Sequence, residues 1–152
     1  MSPQLIAKIC QIDNVTGVKW SANNYYAMMQ LKDMIHGEVN IINGPDEMLI
    51  QGLSAGADAG IGATYNAMLP EYVKIYNYFK QGNMEAALQT QMKVNRIIDS
   101  MIKFEVIPSV KYAVTLMGYN VGNATFPMKE MTDEEKALFE KEIRANGWPF
   151  GQ

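Results

Sequence analysis

Lys19 is the residue whose setting carries the most chemistry. It lies in Val15-Thr16-Gly17-Val18-Lys19-Trp20-Ser21, which reads as a buried β-strand with one lysine near its C-terminal end. Faces alternate along a strand, so Gly17, Lys19 and Ser21 point one way and Val18 and Trp20 the other. An amine among apolar neighbours has its charged form disfavoured, which lowers its pKa. A neutral amine attacks a ketone to give a Schiff base. The competing reading is structural: a strand-end lysine that carries its ammonium out to water.

Two further segments bear on that choice. Gly44-Pro45-Asp46-Glu47 follows a second apolar strand. In parallel βα folds the loops after the strands line the active face, where two carboxylates could bind substrate hydroxyls. The same two residues would also favour a helix N-terminus through its dipole. The third segment is Gly56-Ala57-Asp58-Ala59-Gly60-Ile61-Gly62-Ala63-Thr64-Tyr65-Asn66. Gly60, Gly62 and Ala63 would let a ligand or neighbouring backbone approach closely, or would relieve crowding in a barrel interior. The segment is neither a dinucleotide fingerprint nor a P-loop, because Tyr65 stands where the third glycine belongs and no Gly-Lys-Ser/Thr ending follows. His36 is the only histidine and has no cysteine or serine arrangement to serve. No cluster has metal-ligand spacing, and neither a metal nor a cofactor is expected.

The elements that must position these residues fall into two regimes. Helix 3–12, strand 15–20, helix 24–36, strand 39–43, a helix from Pro45 to about Ala55, a third strand 57–65 and a helix 69–80 with Pro70 in its first turn alternate along the first half. Near-continuous apolar strands between helices argue for a parallel sheet. The second half is helical: 83–104 with Asn83 as N-cap, 108–117 ended by Gly118, and a helix opened by the capping box Thr132-Asp133-Glu134-Glu135 and closed before Gly147. Three parallel strands leave two edges unpaired, so the chain reads as part of a larger βα fold.

Composition narrows the function classes. The 152 residues are 48% apolar and 19% charged with a net charge of -3, a globular profile with no pull towards nucleic acid or anionic membranes. No run of 18 apolar residues and no signal peptide is read, so a cytoplasmic location is expected. Cys10, the only cysteine, fits a small core residue, and the twelve methionines fit adaptable packing. Asn14-Val15-Thr16 and Asn123-Ala124-Thr125 are read as chance matches to the glycosylation pattern.

Gly17-Val18-Lys19, Asn43-Gly44-Pro45-Asp46-Glu47 and Ala55 to Asn66, in this order and spacing, closely resemble the N-acetylneuraminate lyase branch of the class I aldolase superfamily that includes dihydrodipicolinate synthase. The resemblance runs on through Val121-Gly122-Asn123-Ala124 and Phe126-Pro127. It implies an α/β fold: the last three strands of a (β/α)8 TIM barrel with their helices over residues 1–81, then a C-terminal helical extension over 82–152. It implies that Lys19 forms a Schiff base with pyruvate, that Ser21, Gly44, Asp46 and Glu47 contact a polyhydroxylated sugar acid or aldehyde, and that Gly62 and Ala63 complete the site. Ala63 departs from the serine common in the lyases.

The family's pyruvate-carboxylate loop and catalytic tyrosine have no counterpart in this sequence, so little or no lyase activity is expected of this polypeptide by itself. Cleavage of sialic acid to pyruvate and N-acetylmannosamine is the first reading. A dihydrodipicolinate synthase-like or other 2-keto-acid aldolase is the second. A non-catalytic half-barrel is the third. The partner is expected to be an N-terminal barrel half or further copies in a homo-oligomer.

Overall fold

Three short runs, Gly-Val-Lys-Trp, Asn-Ile-Ile-Asn and Ala-Gly, make the sheet. In the computed structural model, which describes residues 1–150, β1 (Gly17–Trp20), β2 (Asn40–Asn43) and β3 (Ala59–Gly60) lie parallel in the order β1-β2-β3. Gly17 pairs with Asn40, Lys19 with Ile42, and Ile42 in turn with Ala59. Trp20 pairs with Asn43, and Asn43 with Gly60. The register therefore puts Lys19, Ile42 and Ala59 in one row and Trp20, Asn43 and Gly60 in the next, on opposite faces.

Seven helices are described: α1 (Pro3–Cys10), α2 (Tyr25–Met34), α3 (Leu49–Ser54), α4 (Tyr65–Lys80), α5 (Met84–Lys103), α6 (Val106–Leu116) and α7 (Asp133–Ala145). Their starts are chemically marked. The side chains of Ser2, Asn24 and Asn83 accept from the amides of Leu5, Ala27 and Ala86, and Thr132 and Glu135 close a reciprocal capping box. None of these helices is long and apolar enough to cross a membrane.

Two apolar clusters hold the elements together. Cys10, Trp20, Met28, Leu31, Ile35, Val39, Ile41 and Ala57 pack between the sheet and the first two helices. The larger cluster draws on α3 to α7 and includes Tyr72, Ile97, Met101, Phe139 and Trp148. It joins residues on both sides of Gln81, so the helical second half shares a core with the end of the βα half. Each buried Leu or Ile side chain stabilises the fold by about 1.5–3 kcal/mol.

The structure corrects several sequence expectations. The third strand is two residues long, not 57–65, because α4 already begins at Tyr65. That helix is interrupted at Met68 (φ -146°, ψ 22°), ahead of Pro70, which lacks an amide donor and clashes with the preceding turn. The helix expected from Pro45 begins as a 3-10 turn at Asp46–Met48 and becomes α-helical only at Leu49. α6 starts at Val106 rather than Pro108, with the proline in its first turn. Strand β1 is not buried on both faces: Trp20 is 7% exposed on the helix side, whereas Gly17 and Lys19 are exposed on the other. Among the described residues nothing pairs with the outer edge of β1 or covers that face.

Candidate active site

The three strand ends bring their loops together. The Gly44 amide donates to the Trp20 carbonyl oxygen at 2.7 Å, which carries the β1–β2 pairing one residue past the strands. A β-carbon on Gly44 would overlap Ser21 Oγ and sit 2.8 Å from the Trp20 carbonyl oxygen, so only glycine lets the two loops touch. Ile61 N–H donates to the Asn43 carbonyl at 3.0 Å, tying the loop after β3 to the end of β2. Lys19 and Ser21 are exposed and border an open groove of about 500 Å³ along the free edge of β1, with Ile6, Ile9 and Val18 on its walls.

The two carboxylates of the second loop have different surroundings. Glu47 is exposed. Asp46 is 8% exposed, and its Oδ2 accepts from both the Thr64 amide (2.9 Å) and Thr64 Oγ1 (2.6 Å). Its Oδ1 is buried without a hydrogen-bond partner and lies against Gly62, where a β-carbon would overlap it. Burial pushes the Asp46 carboxyl above the usual aspartate range; the two Thr64 bonds pull against this, Glu47 adds to it, and the charge of Lys19 opposes it.

A second set of polar contacts fixes the loop from beneath. Asn43, wholly buried, accepts from the Tyr25 hydroxyl at 3.1 Å and donates through Nδ2 to the Pro45 carbonyl at 2.7 Å. Gln91 and Asn95 of α5 donate to the carbonyls of Asp46 and Glu47. Gly60 and Gly62 have a local explanation, since β-carbons there would overlap the Tyr65 hydroxyl and the Asp46 carboxylate. Ala63 is half-buried against the larger core. Lys32 and Asp58 pair at 2.7 Å behind the sheet. Burial pushes Asp58 up, but the bonds from Lys32 and from the Ile41 amide outweigh it and hold the carboxyl below its usual range.

Residues 1–146 match the dihydrodipicolinate synthetase family. The chain belongs to this family. Among relatives in the dihydrodipicolinate synthetase family, N-acetylneuraminate lyase 2 of Escherichia coli O6:H1 is 34% identical over 113 residues, 74% of this chain and 37% of that protein. The 4-hydroxy-tetrahydrodipicolinate synthase of Caldicellulosiruptor bescii is 29% identical over 142 residues, 93% of this chain and 48% of that protein. The solved structure of Proteus mirabilis N-acetylneuraminate lyase superposes with a TM-score of 0.86 at 28% identity, covering 94% of this chain and 50% of the lyase. This member of the dihydrodipicolinate synthetase family thus spans half or less of the length of these relatives.

Lys19, Ser21, Gly44, Asp46, Glu47, Gly62 and Ala63 all fall at or just past the carboxyl ends of the three strands. Sequence reasoning missed Thr64, Tyr72, Gln91 and Asn95. Thr64 lies inside the third segment, and its place next to two small residues was the one local signal for it. Tyr72, Gln91 and Asn95 sit on helices, where nothing in their spacing marks them.

Proposed function

We propose that this chain carries the imine-forming lysine of a pyruvate-dependent class I aldolase, of the kind that cleaves N-acetylneuraminate to pyruvate and N-acetylmannosamine. The observation that carries this is the place of Lys19: it is exposed on the inner face of β1, near enough for its charge to act on Asp46 at the end of β2. Residues 1–81 act as the barrel portion and 82–152 as a helical extension packed on it. The unpaired edges of β1 and β3 are met by a complementary barrel half or by further copies of the chain.

The chemistry follows from the amine. Lys19 Nζ adds to the keto carbon of the substrate, and the carbinolamine loses water to leave a protonated imine. The hydroxyl on the far carbon of the bond to be cleaved gives its proton to a base of the complementary barrel half. Its oxygen becomes the carbonyl of the released aldehyde sugar, and the electron pair of the broken carbon–carbon bond passes into the imine to leave an enamine. The resulting enamine takes a proton at carbon, and water hydrolyses the imine to free pyruvate and Lys19. Ser21 and Glu47 face the hydroxylated part of the substrate, with Gly44 letting the Ser21 loop close on the loop of Glu47 and Gly62 making room for Asp46 beneath it. Ala63 offers no hydroxyl there, a loss of about 1 kcal/mol for one hydrogen bond. The exposed Glu47 carboxylate, held on a loop fixed by Asp46, suits a polyol better than aspartate semialdehyde, which favours the lyase reading over the synthase one.

Borohydride trapping with pyruvate tests the proposal, read by intact mass and peptide mapping. The chain is assayed by itself and mixed with the N-terminal barrel half of a relative. A reduced pyruvate adduct on Lys19, absent from Lys19→Ala, is expected. A folded sample that forms no adduct in either setting overturns the reading.

A further inference from the structure

Tyr72 lies on α4, in the interior of the larger core rather than on any strand-end loop. It is 2% exposed, and its ring stacks on Tyr65 with centroids 3.8 Å apart. Its hydroxyl shares a 2.5 Å hydrogen bond with Thr64 Oγ1. Thr64, equally buried, commits both of its donors to one atom, Oδ2 of Asp46. A carboxylate only accepts, so when Asp46 is ionised the Thr64 hydroxyl proton lies on the Asp46 side. The Tyr72 hydroxyl is then the donor in the outer bond. Donation runs in one direction from Tyr72 to Thr64 to Asp46, and each bond strengthens the next.

We propose that Tyr72 is a positioning residue for Asp46, acting through Thr64, and that this chain of bonds sets the loop from which Glu47 faces the ligand. The inference rests on the reading of the strand-end loops as the ligand site. Asp46 is locked from two sides: Thr64 holds Oδ2, and Gly62 leaves room for Oδ1 and nothing more. With both oxygens buried, Asp46 acts on a ligand through the loop it fixes. Glu47, the next residue, is the exposed carboxylate. The other charges that reach Asp46 are Glu47, on its own loop, and Lys19, on β1; Tyr65 and Tyr72 stay neutral because burial drives their pKa values far up.

Carbon NMR on the uniformly labelled wild-type chain tests this without a substrate. The Asp46 carboxyl carbon and the Tyr72 ring carbon bearing the hydroxyl are followed through an acid titration. The Tyr72 carbon is expected to step at the Asp46 midpoint, although Tyr72 itself does not titrate there. In Thr64→Val the Tyr72 step vanishes and the Asp46 midpoint rises; Thr64→Ser restores both. Tyr72→Phe raises the Asp46 midpoint by less than Thr64→Val does, and has no effect in the Thr64→Val background. A Tyr72 carbon that stays flat through the Asp46 midpoint in the wild-type chain overturns the proposal. So does a Tyr72→Phe effect that survives unchanged without the Thr64 hydroxyl. A failed Lys19 adduct alongside an intact Tyr72 step counts against the aldolase reading alone.

Discussion

Gln91 donates a 3.2 Å hydrogen bond through Nε2 to the main-chain carbonyl of Asp46, so a helix 45 residues further along the chain fixes the loop at the end of β2. The same Nε2 reaches Asn95 Oδ1 at 2.9 Å, and Asn95 donates to the Glu47 carbonyl at 3.1 Å. Two successive turns of α5 thus hold two successive carbonyls of the candidate site.

Gln91→Ala is expected to remove the side-chain donor that ties α5 to the Asp46 carbonyl. A loss of about 0.5–1.5 kcal/mol follows from one hydrogen bond. Urea unfolding of the variant should show a lower midpoint with an unchanged slope.

Gly62→Ala places a methyl group on the Asp46 carboxylate. The carboxylate cannot retreat, because Oδ2 is held by both Thr64 donors. Overpacking of this kind costs about 1–3 kcal/mol. The Thr64 amide proton should shift in a nitrogen–proton correlation spectrum, while amides of α7 stay in place.

Glu71 is buried at 3% exposure on α4 and faces Lys74 at 2.9 Å and Lys93 at 3.5 Å. Burial raises its pKa, but the two lysines outweigh this and hold the carboxyl below its usual range. A depressed folded-state value gives stability that is present above the unfolded pKa, about 4.3, and is lost as pH falls through the folded one. Wild-type protein should therefore lose more stability than Glu71→Gln on going from pH 5 to about pH 3. Urea midpoints of both proteins across that window check the difference.

Trp148 donates from its indole N–H to the Ala67 carbonyl at 3.0 Å. Ala67 precedes the break at Met68, so its carbonyl lies where the regular helical ladder is interrupted. Trp148→Phe keeps an aromatic ring next to Phe150 but removes the donor, and should cost about 1–3 kcal/mol in the same urea assay.

What was legible in the sequence was local. The alternation from Val18 to Trp20, the N-cap at Asn83 and the capping box at Thr132 and Glu135 each act within a few residues, and each is found where expected. The stretch from Ala57 to Tyr65 misled because small residues suit a strand and a crowded turn equally well. Gly60 and Gly62 make room for Tyr65 of α4 and for Asp46 of the loop after β2, neighbours that local sequence does not reveal. Likewise, Asp46 and Glu47 look alike in the sequence. Their difference, one locked and one exposed, arises from Thr64 at a separation of 18 residues. Tyr72 and Gln91 carry no periodic or motif signal, since each reaches the site by one polar atom from an otherwise ordinary helix face.

Trp20 and Trp148, the only tryptophans, are both nearly buried, and each belongs to a different apolar cluster. The chain therefore contains one tryptophan, the fluorophore that can be excited apart from the tyrosines, in each of its two cores. With Trp148 replaced, emission reports the sheet with its first two helices; with Trp20 replaced, it reports the helical cluster. Whether the two cores melt together or in sequence can be read from light the protein already emits, with no label attached.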